Sequence, residues 1–436
     1  MDNLVIMPNY EAYKSSGVEW LGDIPSSWNL KPGFVAFTEN KRSNKGMKEN
    51  IVLSLSYGNI VIKPEEKLVG LVPESFETYQ LVEPNDIIIR CTDLQNDKVS
   101  LRTGLAKDKG IITSAYLNLR VKNGFNSRFM HYYLYSLDTT KVLYKFGSGL
   151  RQNLSFLDFK RLPVFDISEV TQIAIADFLD KKTAQIDQAI SIKEHQINLL
   201  KERKQIIIQQ AVMQGLDPNV VLKESGVDWI GKIPEHWEIK RLKYILEERS
   251  ERSKTGEEPL FMVSQIHGLV VRADYHDKAE VAASNIDNKV VHENDLVFNK
   301  LKAHLGVFFK SSIEFKGLVS PDYAVYKCKN YIVDAKYLEM LFRHPTYIEQ
   351  FVIRATGIVE GLIRLYTSDL FDIHVPVAPA EEQLAILAYA EEQSKTYNLA
   401  IDLQQTQIEK LKEYKTTLIN SAVTGKIKIT PEMVEQ

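Results

Sequence analysis

The stretch Ala184 to Met213 constrains this chain more than any other. Ile186, Ile190, Ile197, Leu200, Ile207 and Ala211 follow one another by 4, 7, 3, 7 and 4 residues. That is a heptad seam with polar residues, Lys193 and Lys204, at two of its positions. No Pro or Gly interrupts it. An apolar stripe on an otherwise polar helix needs a partner helix. The chain supplies one: Ile401, Ile408, Leu411, Leu418 and Ala422 repeat the seam 211 residues later, with Gln404 and Lys415 at the polar positions. Tandem copies related by a two-fold predict two helices packed antiparallel over 186–211 and 397–422, each about 40 Å long at about 1.5 Å per residue.

The rest of the chain is doubled as well. Ser16 to Lys31, SGVEWLGDIPSSWNLK, returns as Ser225 to Lys240, SGVDWIGKIPEHWEIK, with nine of sixteen positions identical. All four tryptophans, Trp20, Trp28, Trp229 and Trp237, lie in these copies, which read as domain-entry caps packed round a Gly-x-Ile-Pro turn. LVEPNDIIIRC (81–91) and VVHENDLVFNK (290–300) each place a turn signal before a β-branched or apolar run. SAYLNLRV (114–121) and PDYAVYKC (321–328) read as strands, and SRFMHYYLYSL (127–137) and AKYLEMLFRH (335–344) as short helices. Between the matched strands the loops differ: DLQNDKVSLRTGLAKDK (93–109) against LKAHLGVFFKSSIEFK (301–316). A shared scaffold with divergent loops suits two readers of different ligands. Ser168 with Glu169, and Pro379 with Glu381 and Glu382, are helix-start signals, and Gly215 and Gly425 are helix stops.

The expected class is α+β with mixed sheets: two similar domains joined by two long antiparallel helices, an internal pseudo-two-fold repeat. The boundaries read are 1–162, 163–215, 216–374 and 375–436. An apolar content of 44% and a charged content of 25% are those of a globular protein. No run of 18 apolar residues and no secretion signal is present, so a cytoplasmic protein is expected, with Cys91 and Cys328 as free thiols. The net charge is −3, but residues 31–160 hold 19 Lys and Arg against 13 Asp and Glu, while 240–372 hold 19 of each. Any grip on nucleic acid would be through local patches.

The motif order closely resembles the specificity (S) subunit of type I restriction–modification systems. The resemblance rests on SGVEWLGDIPSSW and SGVDWIGKIPEHW, on the helix starts ISEVTQIAIADFL and VPVAPAEEQ, and on LLKERKQIIIQQAVMQGLDPNV and KLKEYKTTLINSAVTGKI. It spans essentially the whole chain and occurs twice. The first copy departs in having LPVFDISEVTQ where the second keeps Pro-x-x-Glu-Gln. The resemblance implies two target recognition domains, a bipartite double-stranded DNA target, two methyltransferase (M) subunits and motor–nuclease (R) subunits as partners, and no catalysis or cofactor of its own.

Enzyme motifs are accordingly not expected. Asn-Pro-Pro-Tyr and Asp-Pro-Pro-Tyr are absent, and Ser320-Pro321-Asp322-Tyr323 reads as a strand start. Gly425-Lys426 lacks the rest of a phosphate loop, and Glu65-Glu66-Lys67 is only a fragment of a nuclease motif. His267, His276, His292 and His304 lack metal-ligand spacing. Alternatives are a fused or fragmentary methyltransferase or nuclease, and a coiled-coil scaffold that binds no DNA.

The base-reading candidates are loop residues whose donors and acceptors match base edges. They are Arg90, Asp93, Gln95, Asn96, Lys98 and Arg102; Arg151, Gln152 and Asn153; and Asn299, Lys300, Lys302, His304 and Arg364. For each, a solvated or ion-paired loop side chain is the plain alternative. Lys41, Arg42, Lys45 and Lys48 form a basic run suited to phosphate contact or to solvation. A second apolar set off the seam, Ile192, Leu199, Ile206 and Ile208, is expected to dock M subunits.

Overall fold

A computed structural model describes residues 7–64, 66, 75–97, 101–146, 153–264, 267–275, 284–356 and 364–435, except for the side chains of residues 303 and 304. The chain forms two compact units. Unit 1 is Met1–Glu194 with Gln405–Gln436, and unit 2 is His195–Gln404.

Unit 1 is built on a four-stranded antiparallel sheet in the order Phe37–Glu39, Leu117–Val121, Ile87–Ile89, Thr103–Leu105. The turn before the central strand places Asn85 at φ +72°, a conformation that Asn tolerates better than most residues. Asp86 follows and is 1% exposed. Its carboxylate accepts from the Glu83 backbone N–H at 3.0 Å, and from Arg120 Nε and Nη2 at 2.9 and 3.0 Å. Helix Ser127–Thr139, capped by Asn126, covers the sheet with Phe129, Met130, Tyr133 and Leu134 fully buried.

Unit 2 repeats the order with Leu246–Glu248, Tyr323–Cys328, Leu296–Asn299 and Phe308–Lys310. Asn294 takes φ +59°, and the buried Asp295 accepts from the His292 backbone and from Arg249 Nε and Nη2 at 2.7 and 2.9 Å. The buried carboxylate recurs, but its arginine comes from the neighbouring strand Leu117–Val121 in unit 1 and from just after Leu246–Glu248 in unit 2. Helices Ala335–Leu341 and Pro345–Arg354 cover this sheet.

The long helices are Glu169–Gln214 and Ala380–Val423. Within unit 1 they run antiparallel, since Asp187 meets Lys415 at 2.7 Å and Lys193 donates to Gln407. In unit 2 Lys204 Nζ donates to Asn398 Oδ1 at 2.9 Å. Ile186, Ile190, Ile197, Ile408 and Leu418 are buried. Leu200, Ile207, Ile401 and Leu411 are half-buried. Each helix start is locked by a buried glutamine. Gln383 donates to Tyr331 and Ala378 carbonyls at 2.8 Å and accepts from Val333 N–H at 3.1 Å. Gln172 does the same work in the departing first copy, bonding Gly124, Ile167 and Asn126.

The tryptophan segments seal the helix ends. In unit 1, strand Asn29–Pro32 pairs with Pro163–Asp166, and buried Trp28 lies edge-on to Phe165. In unit 2, Glu238–Arg241 pairs with His374–Val377, and Trp237 Nε1 donates to Glu382 at 2.8 Å. Gly425 sits beneath Pro25 and Trp28 at φ +72°, and Gly215 beside Trp237 at φ +80°. Both helices therefore stop at a glycine in the left-handed region, and at Gly425 the approach of Pro25 also leaves no room for a side chain.

Candidate nucleic-acid interface

In unit 1 the central strand Ile87–Ile89 delivers the chain into the loop from Arg90. Asp93 takes φ +60°, its N–H donates to Asn153 Oδ1 at 3.0 Å, and its carboxylate accepts from Asn96 Nδ2 at 2.7 Å. Arg90 pairs with Asp97 at 2.6 Å. Leu154 N–H donates to the Cys91 carbonyl at 2.9 Å. The segment 153–154 is thus laid against the loop 90–97, which brings together two sets of residues far apart in sequence. Gln95, Asn96 and Asn153 are exposed. Lys98, Arg151 and Gln152 lie outside the described residues.

Arg102, placed by the sequence among the base readers, is fully buried. Its guanidinium donates to the main-chain carbonyls of Arg90 (3.3 Å), Thr92 (2.8 Å), Asp93 (3.1 Å) and Asp97 (2.5 Å), and to Tyr144 Oη at 3.0 Å. Its own backbone N–H donates to Asp138 at 2.6 Å. Tyr144 and Asp138 were not singled out from the sequence: nothing in their spacing marks them, because their role is set by a tertiary contact.

In unit 2 the corresponding strand Leu296–Asn299 leads into two short 3-10 turns over Lys300–Leu305, separated by a kink at Lys302. Asn299 Oδ1 accepts from Leu301 N–H at 3.1 Å. Leu365 N–H donates to the Lys300 carbonyl at 3.1 Å, so Arg364 lies beside this loop as Asn153 lies beside its own. Lys300 meets Glu248 at 3.6 Å, and Arg364 meets Asp322 at 3.7 Å. Lys302 is exposed, and the His304 side chain lies outside the described part.

The basic run at the start of unit 1 faces solvent. Lys41 pairs with Glu39 at 3.0 Å, Arg42 with Glu83 at 3.4 Å, and Lys45 and Lys48 are exposed. Burial pushes both thiols, Cys91 and Cys328, up to about 12, and they form no disulfide. Among the described residues no group of His, Cys, Asp or Glu could hold a metal ion, and no helix is long and apolar enough to cross a membrane.

No family model matches the chain. It is 22% identical over 365 residues to the Type I restriction enzyme MjaVIII specificity subunit of Methanocaldococcus jannaschii, covering 80% of each chain. It is 25% identical over 287 residues to the putative type I restriction enzyme MjaX specificity subunit of the same organism, covering 64% of this chain and 61% of that one. A chain from a structure of a type I restriction–modification system, solved to show complex assembly and conformational transition, superposes with a TM-score of 0.64 at 15% identity, over 92% of this chain and 98% of the other. The HsdS subunit from Thermoanaerobacter tengcongensis superposes with a TM-score of 0.50 at 14% identity, over 93% and 98%. Paired sheets, each with a loop cluster at the end of its central strand, and two long helices make up a fold like that of these type I restriction–modification structures. In sequence the chain is similar to type I restriction enzyme specificity subunits.

Proposed function

We propose that this chain selects the DNA target of a type I restriction–modification complex in the cytoplasm. Each unit reads one part of a bipartite double-stranded target. The chain performs no catalysis and holds no cofactor; it carries two M subunits and, for restriction, R subunits. The observation that carries the reading is the repeated convergence of loop and segment: 90–97 with 153–154, and 299–302 with 364–365. The same frame presents different polar groups in each unit, as two readers of different bases require. Lys41, Arg42, Lys45 and Lys48 suit phosphate contact at unit 1, which is sequence-independent. Leu199, Ile206, Leu399 and Leu403 leave an exposed apolar face on the helices of unit 2, suited to an M subunit.

The test has two arms. The chain alone, titrated with S-adenosylmethionine in a calorimeter, should give no binding heat; binding would favour the fused-methyltransferase reading. The chain co-expressed with its M subunit should select a two-part sequence from a randomised duplex library; failure to select any sequence would leave only a scaffold.

A further inference from the structure

We infer that Arg102 is the positioning residue of the unit 1 recognition loop: it sets how Gln95 and Asn96 meet DNA and touches no base itself. The inference rests on the DNA-reading function proposed above. A guanidinium has five N–H donors in a fixed planar fork. The five acceptors around Arg102 are four main-chain carbonyls of 90–97 and the Tyr144 hydroxyl. Four of its five hydrogen bonds go to the loop's own carbonyls, and the nearby buried Asp138 carboxylate adds a favourable charge. A buried charge is tolerated only when its donors are satisfied. The loop therefore cannot change its path between Arg90 and Asp97 without leaving a buried donor unpaired.

That path is where the exposed amides sit. Gln95 and Asn96 lie between the two carbonyls held by Nη2, those of Asp93 and Asp97. Asn96 is further tied to the Asp93 carboxylate. Tyr144 closes the far side, since its hydroxyl also donates to the Asp97 carbonyl at 3.2 Å. The hydroxyl thus takes one donor of the fork and returns a hydrogen bond to the loop. Among the described residues unit 2 has no equivalent. The strand register Ile89 with Thr103 and Phe298 with Phe308 puts Val307 where unit 1 has Arg102. Adaptable loops bind less selectively than loops held in their bound shape, so the cage acts on discrimination in one half of the target.

The test uses the full chain with its M subunit and a duplex library randomised over both parts of the target. Arg102→Lys keeps the charge but cannot satisfy four carbonyls. It should lower base preference at one or two positions of the first part by about tenfold, the range of one lost bidentate contact, and leave the second part and the salt dependence unchanged. Leu119→Ala, a core truncation in the same sheet, is the stability-matched control and should keep the wild-type preferences. Tyr144→Phe should show a smaller loss in the same direction, and it decides the matter if Arg102→Lys does not fold. Unchanged first-part preference in Arg102→Lys, or in Tyr144→Phe where that variant decides, overturns the inference, as does the same loss in Leu119→Ala. A wild-type complex that selects no two-part sequence overturns the functional reading instead.

Discussion

Arg102 and Val307 occupy the same place in the two sheets, one residue before the edge strand, and they do opposite things. Arg102 is a buried cation wrapped by the carbonyls of a long loop. Val307 is a buried aliphatic packed in an apolar cluster with Phe261, Leu269, Val297 and Phe309. The loop beside Val307 is shorter and winds into 3-10 turns, which satisfy carbonyls within the loop itself. In the described part of the loop beside Arg102, one such bond forms, from Asp97 N–H to the Asp93 carbonyl at 3.2 Å, and the carbonyls of Arg90, Thr92 and Asp97 take the internal donor. The comparison teaches that the sheet frame is indifferent to how its loop is held. A frame of this kind can carry loops of different length and chemistry, provided that each solves its own backbone hydrogen bonding.

What the units share should be the most costly to disturb. Asp86→Ala and Asp295→Ala each strip a bidentate arginine and a backbone N–H of their buried acceptor. Each should cost about 3 kcal/mol, since the aspartate is buried but its arginine is partly exposed and can be rehydrated. Urea unfolding with hydrogen exchange should show the loss confined to the altered unit, and a cost below about 1 kcal/mol in either would break the parallel.

The next effect belongs to unit 1 alone. His131 Nε2 is shielded from solvent without a hydrogen-bond partner in the described structure, and burial holds the ring's pKa down, to about 4 from 6.5. Between these values the unfolded chain takes up a proton that the folded chain refuses. Stability therefore falls as pH drops from 6.5 to 4, by up to about 3 kcal/mol. By helix position the counterpart in unit 2 is Glu339, which pairs with Lys336 and Arg343. His131→Leu should flatten this slope in unit 1 and leave unit 2 unaltered, measured by unfolding across pH; an unchanged slope would contradict the assignment.

The helix stops differ more finely. A Cβ at Gly425 would come within 2.5 Å of the Pro25 ring, whereas at Gly215 the nearest atom is 3.4 Å away on Trp237. Both positions have positive φ, which costs a non-glycine residue about 1–2 kcal/mol. Gly425→Ala should exceed that and Gly215→Ala should not, by thermal unfolding. The smallest effect is expected on the helix seam. Lys415 pairs with Asp187 and Lys204 with Asn398, both partly exposed. Replacing either with Met should shift stability by less than about 1 kcal/mol.

The scaffold was largely legible in the sequence. The seam of Ile186 to Ala211 and its copy gave the long helices, because heptad spacing depends only on local geometry. The Pro84-Asn85-Asp86 and Glu293-Asn294-Asp295 turns marked the central strands, because φ above zero selects Asn. The role of Gln172 was hidden by the departure from Pro-x-x-Glu-Gln, although Gln172 and Gln383 stand 211 residues apart like the seam residues. The loops were not legible to the same degree. An arginine in a polar loop reads as a solvent-facing group, and only the tertiary path of 90–97 shows that Arg102 points inward. Asp138 and Tyr144 have no local pattern at all.

The claim that each unit reads its own half of a bipartite target is tested most directly by exchange. Residues 32–160 are replaced by the corresponding domain of another specificity subunit, and modified bases are mapped across the genome of cells that carry the complex. The account predicts a two-part modified sequence whose first part alone changes on exchange. A change in both parts, or a modified target that is one continuous palindrome, would contradict it.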